Sequence, residues 1–163
     1  AFDPICRGIK WQEIFELWKS DQANLIEINS QKHDELVSIV QSTVHFWNLL
    51  LWHILKKRGI QIWEVLDIGT PNSRMQMLIL SRFLNQKASL YTDMQFYNDH
   101  YKETILPEIK DYVNFLEDII KSWDTQTFEN EFNEVKNYVW QDFLDTALQI
   151  TSKIDSEIQK IKQ

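Results

Sequence analysis

From His33 onward the apolar positions of the chain recur at intervals of three and four, which is the spacing of helices rather than strands. The first periodic run spans about His33 to Lys57 and stops at Gly59, with Lys56, Lys57 and Arg58 placed to offset the C-terminal dipole. Thr70-Pro71 then reads as a cap followed by proline in the first turn, opening a helix to about Leu84. Residues 87–102 and 107–122 give two further helices, the second started at Pro107. The last run begins after Asp124-Thr125. Its apolar residues are Phe128, Phe132, Val135, Val139, Phe143, Ala147, Ile150, Ile154, Ile158 and Ile161, which predicts one continuous helix almost to the terminus. A helix of that length is long for a domain of this size, so part of it is expected to pack on a partner.

Residues 1–32 differ in pattern from the rest of the chain. Ile9 to Ser20 reads as an amphipathic helix with Ile14, Phe15, Leu17 and Trp18 available for burial. Leu25-Ile26-Glu27-Ile28 reads as a short strand, and Asn29-Ser30 offers a helix cap. A helix followed by a strand looks like the last piece of an α/β domain. The expected division is therefore 1–32 as the tail of such a domain and 33–163 as a mainly α unit.

Composition narrows this picture. The 163 residues suit one domain, and three glycines with three prolines leave few places to turn. Seven Trp, nine Phe and five Tyr can fill a core or an interface shared with another subunit. A net charge of −7 argues against nucleic acid or an anionic membrane as the main partner. The single Cys6 allows no internal disulfide and suits a reducing cytosol, so a cytoplasmic location is expected. Val37 to Leu55 carries no formal charge, but Ser38, Gln41, Ser42, Thr43, His45, Asn48 and His53 make it too polar for a lipid-facing span.

Two features carry candidate chemistry. Asp34, Ser38, Gln41, His45 and Asn48 are spaced four, three, four and three apart, which puts them on one face of an otherwise apolar helix. Such a face meets other polar groups, water or a ligand, because an unpaired buried polar group costs about 1–3 kcal/mol. A satisfied internal network and a ligand-lining wall both fit. The second feature is Arg82, set among residues that favour burial between Met75 and Leu84, with Arg74 about 80° round the same helix. A buried guanidinium there needs an anion, internal or bound, whereas Arg74 can also reach solvent. The three glycines, Gly8, Gly59 and Gly69, form no Gly-x-Gly-x-x-Gly or phosphate loop, and neither a metal-ligand pair nor a nucleophile elbow is present.

His33-Asp34, Gln41, His45-Phe46, Thr70-Pro71, Arg74, Arg82, Gln86, Leu90-Tyr91 and Asp93 stand in an order and spacing that resemble the dimerisation domain of prephenate dehydrogenases, including forms fused to chorismate mutase. The resemblance implies a helical fold similar to the C-terminal domain of 6-phosphogluconate dehydrogenase, a homodimer, and a share in oxidative decarboxylation of prephenate to 4-hydroxyphenylpyruvate. It implies that Arg82 binds a prephenate carboxylate, that His45 lies near the substrate or the product tyrosine, and that Gln41 and Arg74 line or rim the same site. The family's dinucleotide loop and catalytic histidine belong to an upstream domain with no counterpart here. NAD or NADP is thus expected only in a longer enzyme, and this chain alone is expected to be inactive. A stand-alone dimer that holds an aromatic acid without catalysis is the alternative.

Overall fold

The computed structural model of the chain describes residues 11–21 and 26–161, with side chains placed from 13 to 21 and from 26 to 158. Helix α1 (Trp11–Ser20) falls inside the expected 9–20 helix, but Ile14, Leu17 and Trp18 are exposed. Of the strand expected over 25–28, the described part retains a single bridging residue, Glu27. Asn29 then caps α2 (Ser30–Val37), its Oδ1 accepting from the Lys32 N–H at 2.7 Å. The helix runs on through a π-helical turn, π1 (Ser38–Thr43), into α3 (Val44–Arg58). It ends where Gly59 adopts φ 69°, a left-handed conformation that glycine reaches at no steric cost. The Gly59 and Ile60 N–H groups return to the Lys56 and Leu55 carbonyls, as in a Schellman cap.

A short helix, α4 (Ile62–Ile68), fills the connection that the periodicity left open. A capping box between Gln61 and Glu64 starts it. Helix α5 (Pro71–Leu84) matches its expected bounds, with the Thr70 hydroxyl accepting from the Ser73 N–H and Pro71 in the first turn. The helix expected over 87–102 is instead cut short: α6 (Ala88–Phe96) ends and a second π-helical turn, π2 (Tyr101–Ile105), leads straight into α7 (Leu106–Lys121). Asn98 causes the break. Its Oδ1 accepts from the Tyr101 N–H at 2.9 Å, so the residue that looks like mid-helix filler is a cap for the next helix.

The single long C-terminal helix is also divided. Asp124 caps α8 (Thr125–Tyr138), the chain becomes extended at Val139, and α9 (Gln141–Ile161) comes next. The break preserves the three-four phase of the apolar stripe, and neither glycine nor proline marks it. What it gains is a turn that lays α9 against α5. There Asp155 takes Arg74 bidentately, Nε at 2.7 Å and Nη2 at 2.9 Å, with both side chains about nine-tenths buried.

The core is small for the chain. Leu55, Met77 and Leu80 are buried where α3 and α5 meet, with Leu51, Trp52, Ile62, Val65 and Leu66 packed round them. Among the described residues Tyr101, Ile119 and Ile158 complete the buried apolar set, while Phe132, Tyr138, Trp140 and Leu148 are well exposed. The total accessible surface is 13193 Å², whereas a compact monomer of 19.6 kDa exposes roughly 8,600 Å². No helix among the described residues is long and apolar enough to cross a membrane.

Leu80 is fully buried at the centre of the one cluster that joins three helices. Leu80→Ala is expected to cost about 2–5 kcal/mol, seen as a lower urea midpoint, whereas Leu84→Ala at the exposed end of α5 changes it little. Equal effects would show that this cluster is not the core.

Candidate ligand site

A π-helical turn holds more residues per turn than an α-helix and so rotates everything beyond it. That rotation breaks up the polar row read from the α-helical period. Asp34 is exposed and meets its neighbour His33 at 3.1 Å. Ser38 is fully buried, donating to the Glu35 carbonyl. Gln41 is half-buried, and Asn48 is buried on the α5 side, accepting from Gln76 Nε2 at 3.3 Å. His45 alone of the row turns toward a cavity. The row is therefore not a single ligand-lining wall.

The same turn fastens the neighbouring segments. Ser42, fully buried, donates to the Met94 carbonyl at 2.9 Å, and Gln95 Nε2 donates to the Ser42 carbonyl at 2.7 Å. Asn98 Nδ2 donates to the Asp34 carbonyl at 2.9 Å. Two buried serines let π1 and π2 approach closely, and between them these bonds fix the start of α3, the end of α6 and π2 in one arrangement.

That arrangement encloses a half-open cavity of about 530 Å³ bounded by α3, the end of α5, α6 and π2. Its walls are chiefly apolar. The His45 ring stacks on Phe83, centroids 5.4 Å apart, and meets Tyr91 edge-on at 4.5 Å. Gln86, Thr92, Gln95 and Lys102 add polar groups to the lining. His45 Nδ1 is buried with no partner among the described residues, and burial pushes the imidazole below its ordinary pKa, favouring the neutral form. Tyr101, buried on π2, also lines the cavity, and its hydroxyl has no partner either among the described residues. Sequence reasoning passed over Tyr101. Its signal was Asn98 three positions earlier, the cap that starts π2.

The four residues expected at the site do not converge. Of His45, Gln41, Arg74 and Arg82, only His45 lines this cavity. Arg74 was expected to shape the rim; instead its guanidinium is consumed by Asp155 and the Gly69 carbonyl. That carboxylate also raises its pKa. Arg82 was expected to be buried; it is exposed, because Leu80 carries the core-facing side of α5 and a residue two further on points about 200° away. Arg82 makes no ion pair with the described residues, and its neighbour Phe83 forms part of the cavity wall.

The described residues do not fit a dinucleotide. A pyrophosphate needs free N–H groups at a glycine-bearing helix start. Gly59 closes a helix end, and the Ser73 and Arg74 N–H groups that begin α5 are already bound by Thr70. No group of three metal-ligating side chains occurs among the described residues.

Among the described residues this is a helical domain with a modest internal core, much exposed apolar surface and an aromatic-walled cavity beside α3. Comparison with known proteins gives the family. The model of the prephenate dehydrogenase dimerization domain matches residues 29–137, and the chain belongs to that family. It is 26% identical over 136 residues to a protein of Methanocaldococcus jannaschii described as a probable arogenate/prephenate dehydrogenase, covering 81% of this chain and 30% of that one. It is 23% identical over 154 residues to the T-protein of Haemophilus influenzae, covering 93% and 39% respectively. The chain thus spans about three tenths to two fifths of the length of these curated relatives.

The lowered pKa of His45 has a signed consequence. Above about pH 6.5 the imidazole is neutral in folded and unfolded chains alike. As pH falls below that, the unfolded chain takes up the proton first, and stability is lost until the folded pKa is reached. Urea midpoints measured at pH 7.5 and 5.5 should therefore drop more for the parent than for His45→Gln. An identical drop in both would show that His45 is not desolvated.

Proposed function

We propose that this chain is the substrate-binding and dimerising part of a prephenate dehydrogenase, with residues 1–32 as the tail of a nucleotide-binding domain and 33–163 as the helical unit. It pairs with a second copy, and the surplus of exposed apolar surface supports that reading. The reaction of the whole enzyme is the oxidative decarboxylation of prephenate to 4-hydroxyphenylpyruvate with NAD or NADP, and a cytoplasmic location goes with it. Hydride transfer is assigned to residues outside this chain, which alone binds without turning over.

One observation carries the proposal: an apolar, aromatic-walled cavity is lined by Phe83, and its chain neighbour Arg82 is an exposed arginine with no ion pair among the described residues. The cavity suits the ring of prephenate or tyrosine. Arg82, adjacent to Phe83 on α5, suits the carboxylate at the mouth, where a guanidinium holds it through paired charge-assisted bonds. His45 lies against the ring. Gln41, one turn earlier, supports the backbone that presents His45 without lining the cavity. Arg74 acts one step removed, by fastening α9 to α5.

Calorimetry with prephenate and L-tyrosine tests this assignment. Arg82→Ala is expected to weaken both about tenfold to a hundredfold, the loss of one charge-assisted contact. Equal affinities in parent and variant would place the carboxylate elsewhere, and no binding to the parent would remove the cavity from the proposal altogether.

A further inference from the structure

Helix α8 meets its own protomer with a polar side. It lies against α7, where Thr127 and Glu131 are its only half-buried residues, and Glu131 accepts from the Tyr112 hydroxyl at 3.3 Å. Its apolar stripe, Phe128, Phe132 and Val135, lies about a quarter turn round the helix at roughly 100° per residue. That stripe stands in solvent, Phe132 being 66% exposed, although an amphipathic helix normally turns it to a core. All of α8 but its last residue falls within residues 29–137, the part matched by the dimerization family, whereas α9 lies beyond it. The stripe thus belongs to the segment shared with a family of pairing domains, which points to a second copy as its cover.

The same fold carries a groove of about 640 Å³ between α3 and α7. Phe46, Trp47 and Leu50 form one wall, and Leu106, Ile109 and Val113 form the other. A protomer's own α8 adds nothing to these walls, because it packs beside Tyr112, about 100° round α7 from Val113. Charge separates the two ways in which a second copy could cover the stripe. Stripe against stripe would set Glu129, Glu131 and Glu134 of one α8 near the same residues of the other, with Lys136 the single basic residue of each helix. The groove instead is lined by Lys102 and Lys110. Lys102 holds Asp99, while Lys110 makes no ion pair among the described residues, and Asp111 beside it suits Lys136.

We infer that α8 of each protomer docks, apolar stripe inward, in the α3–α7 groove of a second copy. The inference rests on the pairing proposed above and names the surfaces that make it. Two-fold symmetry makes the contact reciprocal, so one pairing seats two helices in two grooves. The rings of Phe128 and Phe132 enter between the apolar walls, and Lys110 meets the acidic flank of the incoming helix.

Cross-linking between differently marked chains tests this on the full chain in a Cys6→Ser background. Phe132→Cys and Val113→Cys chains, mixed and oxidised, are expected to join as a covalent dimer, whereas Phe132→Cys chains alone stay largely unjoined. Sedimentation reads the strength of the contact: Phe132→Ser and Val113→Ser are each expected to weaken pairing at least about tenfold. The cross-link decides where a serine variant fails to fold. A dimeric parent that gives no mixed product, or gives it no faster than Phe132→Cys alone, would overturn the inference and leave pairing standing. So would folded serine variants that pair as tightly as the parent. A parent that is monomeric throughout would overturn the pairing itself, and this inference with it.

Discussion

Much of the apolar surface of the described residues is left exposed in a single copy, and the account of this structure turns on that constraint. Among the described residues only Leu55, Met77 and Leu80 form a buried apolar cluster, where α3 meets α5, while aromatic side chains along α8 and α9 stand in solvent. A family defined by dimerization accounts for such a chain without invoking a second function for its exposed face.

Within the protomer, polar contacts do the positioning that hydrophobic packing leaves undone. Arg74 and Asp155 dock α9 onto α5 by a bidentate pair that is mostly desolvated, a geometry that fixes orientation as much as it adds stability. Ser42 and Gln95 tie π1 to α6, and Asn98, which caps the segment entering π2, ties that segment to α2. The cavity lies where π1 turns His45 and the Asn98 cap sets Tyr101 at the start of π2. Where regular α-helices would have continued, they would have pointed elsewhere.

Most of the helical boundaries were legible in the sequence because local chemistry sets them. Asn29, Gly59 and Thr70-Pro71 each solve the same problem, satisfying or avoiding the orphan groups of a helix end, and each does so where expected. Some features that escaped are local caps, Asn98 before Tyr101 and the Gln61–Glu64 box that starts α4, but two others go with long-range contact. The break at Val139 keeps the apolar phase, so periodicity cannot register it; the docking of Asp155 on Arg74, far away in sequence, gives it its purpose. The π-helical turn at Ser38–Thr43 is likewise silent in composition, yet it scatters a polar row that the α-helical period had aligned. Of the expected site residues, His45 is the one that lines the cavity. Arg82 was misjudged in burial because an apolar flank says nothing about which side of α5 faces the core.

The dependence of folding on a second copy is tested most directly by thermal unfolding over a hundredfold range of protein concentration, alongside sedimentation equilibrium. A chain that completes its core by pairing should sediment at twice 19.6 kDa and show a melting temperature that rises with concentration, because dissociation and unfolding are then one event. A species of 19.6 kDa whose melting temperature does not move with concentration would contradict the account.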